Sequence, residues 1–272
     1  MGTTAIENQF LTRHIQTVGG ANPAPLMPGT SYYWQIYVED EYGNTGFHDE
    51  QSTTTLQEQG RTYVPGDNFE KILIDRGYDD ILDDYVLTAN IENITSLDVS
   101  GNNIADLTGI EDFEALEDLN CSNNTLNNID VSSNINLITL NVSNNQLSTV
   151  NTINNLALTT LNCSNNSIAS IDLTQNTNLV VLDISNNVFT SFLPSEVPSL
   201  SDFICDGNAI VELDFQLNQN VTSLSCQSNS LEVLNIRNGQ NNILTNLNAQ
   251  NNPDLTCIET DNGTVPKIAK YI

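Results

Sequence analysis

From Ile94 onward the chain alternates apolar and polar positions in a fixed order. Apolar residues take the first, fourth, sixth and eleventh places and Asn takes the ninth, as in Ile94, Leu97, Val99, Asn102 and Ile104. The order restarts at Leu116, Leu137, Leu158, Leu179, Leu200 and Val221, a spacing of 22 residues once and 21 thereafter. A weaker copy starts at Leu244, with Leu247, Ala249 and Asn252. Apolar residues on either side of an exposed one give the period of a half-buried strand. Near-constant spacing predicts one strand per copy, stacked in parallel. At about 4.7–4.9 Å per strand, eight copies make a sheet roughly 35–40 Å long.

Each copy holds the pattern twice. Leu158, Leu161, Cys163 and Asn166 are followed by Ile168, Ile171, Leu173 and Asn176. The half-repeat predicts a second extended segment on the opposite side, with a second Asn row at Asn134, Asn155, Asn176 and Asn218. Two copies depart from it. Leu107-Thr-Gly-Ile110 with Phe113 reads as a short 3₁₀ turn. Pro194 and Pro198 forbid a ladder and predict an irregular or 3₁₀ segment.

On these residues the stretch resembles the leucine-rich repeat family, over 94–257 in about eight coils. The resemblance implies a β-rich leucine-rich repeat solenoid of 21–22-residue coils. It puts a parallel sheet on the concave face and extended or 3₁₀ segments on the convex side. It also implies a structural ladder of buried amides at Asn102, Asn124, Asn145, Asn166, Asn187, Asn208, Asn229 and Asn252. Loss of one such amide is expected to cost on the order of 1–3 kcal/mol in unpaired backbone groups. The motif specifies a fold and says little about a ligand.

Residues 67–93 read as an N-terminal cap, needed because an uncovered first strand would pair or aggregate. Asp67 and Glu70 have capping-box spacing, Phe69, Ile72 and Leu73 form an apolar stripe, and Gly77 stops the helix. The phrase resembles caps of secreted or cell-surface repeat proteins of Bacteroidetes. Residues 26–56 resemble the last two strands of a fibronectin type III domain, a β-hairpin remnant with Glu41-Tyr42-Gly43-Asn44 as its turn. Residues 57–66 read as linker, 258–272 as a tail without a repeat, and 1–25 remain unassigned. Too few residues precede the hairpin for a whole sandwich. The chain is therefore expected to be a fragment, with signal peptide and sorting domain outside it.

The charge narrows the function. The 272 residues carry 34 Asp and Glu against 7 Lys and Arg, a net charge of −27. No Lys or Arg lies between Arg76 and Arg237, and the two histidines are His14 and His48. Nucleic-acid binding needs cations to displace counterions, so no nucleic-acid partner is expected. A phosphate-cradling lysine loop, a Ser-His-Asp triad and a His-ligated zinc site cannot lie in that tract. No run of 18 apolar residues exists, so no membrane insertion is expected.

The candidate surface is the concave face. Its central column reads Asp98, Asn120, Asn141, Asn162, Asp183, Ile204, Ser225 and Asn248, with Asp118 and Asp202 in the column before it. Ser100, Ser122, Ser143, Ser164, Ser185 and Asp206 stand in the column after it, expected exposed. No Trp, Tyr, Phe or Arg is among them, although such residues dominate interface hot spots. The columns suit a solvated polar face or a binding face for a glycan or peptide. Their paired Asp residues lack the cleft that a glycosidase requires, so no catalysis is expected. Asp79, Asp80, Asp83 and Asp84 form a dense acidic loop that is either solvated or a calcium site, though not with EF-hand spacing. No other cofactor is expected. Cys121, Cys163, Cys205 and Cys226 fall at the apolar sixth place and read as buried free thiols, leaving Cys257 as the exposed one.

The resemblance thus implies a monomeric, non-catalytic extracellular module that binds a protein or glycan within a modular surface or secreted bacterial protein. A targeting module of a secreted enzyme and a structural spacer are the alternatives.

Overall fold

A computed structural model describes residues 60–261, together with the strands Ser31–Trp34, Tyr37–Glu39, Thr45–Phe47, Gln51–Thr54 and Ala269–Lys270. The chain divides into two compact units, Met1–Gln59 and Gly60–Ile272. In the first, Ser31–Trp34 pairs antiparallel with Gln51–Thr54, and Tyr37–Glu39 with Thr45–Phe47. The turn expected at residues 41–44, and all of residues 1–30, lie outside the described residues.

The second unit opens with a cap. Helix α1 (Asp67–Asp75) buries Phe69, Ile72 and Leu73 on one face, and the Phe69 ring packs on Phe113 of the first coil at 6.2 Å. A capping box does not form. Gly66 is the N-cap and makes no side-chain cap bond. Its carbonyl accepts the N–H groups of Phe69 and Glu70. A Cβ on Gly66 would come within 2.8 Å of the Asp106 carbonyl oxygen, so no side chain fits there. Glu70 turns inward instead. Strand Arg61–Tyr63 pairs antiparallel with Tyr85–Leu87, which draws residues read above as linker into the cap. Buried Thr62 joins its hydroxyl to Thr88 Oγ1 at 2.9 Å and donates to Asp112 Oδ2 at 2.7 Å. It thereby ties the cap to the 3₁₀ turn Ile110–Asp112 of coil 1.

The coils then stack with constant register. Concave strands at 96–98, 118–120, 139–141, 160–162, 181–183, 202–204, 223–225 and 246–248 are parallel neighbours, from Leu97 opposite Leu119 to Leu224 opposite Leu247. We number them coils 1 to 8. Ala269–Lys270 adds a ninth strand beside coil 8. The convex side is extended. Among the described residues its segments reach full ladder geometry only at 212–214, 233–235 and 258–259. In coil 5 the prolines give a 3₁₀ turn, Pro194–Glu196. The core is a single stack of buried Leu, Ile, Val, Phe and Cys running from Val64 to Leu255.

A second row of amides lies under the convex side. Asn134, Asn155, Asn176 and Asn218 are fully buried. Asn155 Nδ2 donates to the carbonyls of Val131 and Asn134, and Asn176 Nδ2 to those of Thr152 and Asn155. Asn176 Oδ1 also accepts the Thr152 hydroxyl at 2.9 Å. The Oδ1 atoms of Asn134, Asn155 and Asn218 have no such partner. Val131 stands to Asn155 as Thr152 stands to Asn176. Val131→Thr is therefore expected to stabilise the fold by about 0.5–1.5 kcal/mol, and Thr152→Val to cost about 1–3 kcal/mol. Urea denaturation midpoints of the two variants check both signs.

Candidate functional site

The concave strands are three residues long and bury the middle one, so each coil presents its first and last side chains and bends after the last. At the bend the second backbone N–H after that residue needs an acceptor. An Asx side chain supplies it locally. Ser100 N–H donates to Asp98 Oδ1 at 3.0 Å, Ser122 to Asn120 at 3.2 Å and Ser143 to Asn141 at 3.1 Å. Ser164 donates to Asn162 at 3.0 Å and Ser185 to Asp183 at 2.9 Å. These bonds from Ser100 are the main reason that the Asp98 carboxyl lies below the usual carboxylate range. One end of each side chain is pinned and the other faces out. The amide nitrogens of Asn120, Asn141 and Asn162 make no hydrogen bond among the described residues. They form a row of three donors on adjacent coils, with an Asp at each end.

Other expected residues do different work. Ser225 is too short to reach the N–H of Gln227, and Asp206 of the preceding coil accepts it at 3.0 Å. Asp206 Oδ2 also accepts Ser225 Oγ and Gln227 Nε2, each at 2.9 Å, so this carboxylate is already engaged. Asp118 is exposed and Asp202 half-buried, on the strands of coils 2 and 6. The Ser column is not exposed: Ser122, Ser143, Ser164 and Ser185 are buried at the bend. The Asp98 carbonyl accepts Arg76 Nη2 from the cap. An apolar depression lies away from this face, across coils 2 to 4, lined by Ile135, Ile153, Asn154, Leu156 and Gln175.

Behind the bend lie the ninth-place amides. Asn187 is typical. Its Nδ2 donates to the Cys163, Ile184 and Ser185 carbonyls at 3.0, 3.1 and 3.2 Å, and its Oδ1 accepts Ile168 N–H at 2.9 Å. Two coils are thereby stitched by one side chain. Asn124, Asn145, Asn166, Asn208, Asn229 and Asn252 bond in the same way to their own coil and the one before. Asn102, in the first coil, is exposed, and its side chain donates only to the Ser100 carbonyl.

The acidic loop of the cap is not uniform. Asp83 Oδ2 meets Arg61 at 3.5 Å and its Oδ1 accepts Tyr85 N–H. Asp80 is exposed, and Asp84 has left-handed backbone, φ 67°. Asp79 is half-buried, and its Oδ2 has no partner. Burial pushes its pKa up, with the charges of Asp83 and Asp80 adding to the rise. The sequence reading missed Glu70. Its carboxyl is fully buried inside this loop and raised by desolvation. A Glu on the apolar side of a helix stripe was the available signal.

A family model described as Leucine Rich Repeat matches residues 178–200. Among solved structures, the chain is similar to the functional domain of InlJ from Listeria monocytogenes, which includes a cysteine ladder. The match has 25% identity, covers 72% of this chain and 51% of that one, and has a TM-score of 0.58. The fold is a leucine-rich repeat solenoid. A leucine-rich repeat protein of Leptospira interrogans matches at 20% identity over 59% of this chain and 44% of its own, TM-score 0.53. Internalin C2 of Listeria monocytogenes matches at 19% over 64% and 90%, TM-score 0.51. The chain thus spans about half the length of the first two. The comparison with curated proteins found no match, and no enzymatic family is indicated. Among the described residues no helix is long and apolar enough to cross a membrane.

Cysteines occupy one core place of the leucine-rich repeat, on coils 2, 4, 6 and 7. Cys121, Cys163, Cys205 and Cys226 are buried and free, while Cys257 is exposed. Burial pushes the Cys121, Cys163 and Cys226 thiols up to about 12, and Cys205 well above its ordinary value. Thiolate is the reactive form, so these four act as small core residues.

Proposed function

We propose that this leucine-rich repeat chain is a non-catalytic binding or adhesion module that takes a protein or a glycan on its concave face. One observation carries the reading. The amide nitrogens of Asn120, Asn141 and Asn162 face outward from side chains whose other end is already fixed by the bend. Fixing a mobile side chain on binding costs about 0.5–1.5 kcal/mol, and here folding has met that cost. A neutral ligand with hydrogen-bond acceptors fits the three amides, and donors or cations fit Asp98 and Asp183 at the ends. Without aromatic anchors the contact is polar.

The same reading makes the module extracellular and monomeric, within a modular surface or secreted bacterial protein of the Bacteroidetes type. The antiparallel strand pairs within residues 31–54 support a fibronectin type III-like segment before the cap.

Thr139 and Thr160 sit beside the amide row on coils 3 and 4. Replacing both with Arg covers the row while leaving the bends intact. The double variant is expected to lose at least about tenfold in affinity for any hit from protein and glycan arrays, a change of about 1.4 kcal/mol, with an unchanged circular dichroism spectrum. A folded parent chain silent on both arrays would remove the binding reading and leave the spacer.

A further inference from the structure

The cap folds its acidic loop around a carboxylate. Glu70 projects from α1 into the interior and is fully buried. Its Oε1 accepts the N–H of Asp83 at 2.8 Å and of Tyr85 at 3.2 Å. Asp84 lies between them with φ 67°, and such a turn directs successive N–H groups to one side, as in an anion nest. The loop therefore closes over one oxygen of Glu70.

Its other oxygen is left over. Glu70 Oε2 is buried with no hydrogen-bond partner, and so is Asp79 Oδ2 in the same loop. Burial raises both carboxyls, and the charge of Asp79 raises Glu70 further. Arg61 bonds Asp83 Oδ2 at 3.5 Å, and its charge offsets part of the rise at Asp79 without giving Oδ2 a hydrogen bond. Buried carboxylates are stable when they are paired or coordinate a metal. A hard cation is the kind of partner that both oxygens lack.

We infer that the cap loop is a calcium site, with Glu70 Oε2 and Asp79 Oδ2 as its two carboxylate ligands. Calcium takes six to eight oxygen ligands in flexible geometry, main-chain carbonyls and waters among them. Among the described residues no three Asp, Glu, His or Cys side chains gather as a metal-holding group. The rest of the shell is therefore carbonyl and water oxygen. Zinc is a poor match because it prefers a closed set of Cys and His ligands. Magnesium is disfavoured by its demand for near-ideal octahedral geometry. Of the four Asp residues in the loop only Asp79 is a ligand, since Asp83 is engaged by Arg61 and Tyr85. The ion fastens the loop to α1, and thus fastens the cover over coil 1.

The test uses the whole chain, stripped with EDTA and titrated with calcium chloride, read by calorimetry and thermal melting. Tm is expected to rise by a few degrees and to saturate, because a ligand of the folded state alone stabilises it. Glu70→Gln and Asp79→Asn are each expected to lose that rise, while Asp80→Asn keeps it. In EDTA, Glu70→Gln is expected to melt no lower than the parent, since it removes a buried charge at constant shape. No heat and no shift at millimolar calcium, an equal shift with magnesium, or a full shift in both ligand variants would overturn the site.

Discussion

Asn187→Ala is expected to destabilise the fold by about 3 kcal/mol, among the largest effects of any polar substitution in this chain. The amide holds three carbonyls, those of Cys163, Ile184 and Ser185, and one N–H, that of Ile168. Alanine leaves the Ile168 N–H unpaired in a region closed to water, at about 1–3 kcal/mol, and removes one bond from each carbonyl, about 0.5–1.5 kcal/mol apiece, although these still accept from Asn166 Nδ2, Asn208 Nδ2 and the Asn165 N–H. Relaxation and entering water recover part of the sum. Asn102 provides the internal comparison. It is exposed and its side chain makes one bond, to the Ser100 carbonyl, so Asn102→Ala is expected to stay within about 0.5–1.5 kcal/mol. In a solenoid each coil contacts only its neighbours, so hydrogen exchange in the Asn187 variant is expected to rise at coils 4 to 6 first. Urea denaturation gives the magnitudes, and equal costs at the two sites would refute the stitching role of Asn187.

The contrast between the two asparagines shows what a repeated pattern can and cannot reveal. Every coil meets its neighbours through the same places, so strand register and the extended convex side are legible from the period alone. The 3₁₀ turns at Ile110 and Pro194 are legible too, because glycine and proline act locally. Contacts made once are not repeated and leave no period. Thr62 reaches Asp112, fifty residues away, and Glu70 reaches Asp83 and Tyr85. The cap therefore begins earlier than its helix signal and is built around a carboxylate that spacing alone assigns to a capping box.

The acidic charge also reads differently once its bonds are known. Asp98, Asp130, Asp172, Asp183 and Asp214 each accept the N–H two residues ahead. Asn120, Asn141, Asn151, Asn162 and Asn235 do the same in other coils. The two residue types are interchangeable as acceptors, so these five of the 19 acidic residues between 94 and 261 serve the bend as acceptors and not as charges. Of the concave residues, the sequence pattern identifies which stand in one column. Which atom faces outward depends on the bend, and the burial of the Ser column follows from the same bend.

The largest apolar effect is expected at Phe203, where coil 6 replaces the usual leucine. The other coils carry Leu97, Leu119, Leu140, Leu161, Leu182, Leu224 and Leu247 at this place. Phe203 is fully buried between Phe192, stacked at 4.8 Å, and Phe215, tilted at 6.0 Å. The aromatic trio lies where the convex side of coil 5 runs through the turn Pro194–Glu196 instead of an extended segment. A larger side chain thus fills the space that this departure opens. Phe203→Ala is expected to cost about 3–5 kcal/mol, combining lost transfer energy with a cavity that stacked coils on both sides cannot close. Phe203→Leu restores the repeat yet forfeits both ring contacts, each worth about 0.5–1.5 kcal/mol beyond area. Its cost is expected to fall between zero and that of alanine. Urea denaturation separates the two accounts. If leucine proves as stable as phenylalanine, the aromatic place is an accident of the repeat. If it is measurably weaker, coil 5 departs from the pattern only because coil 6 departs with it.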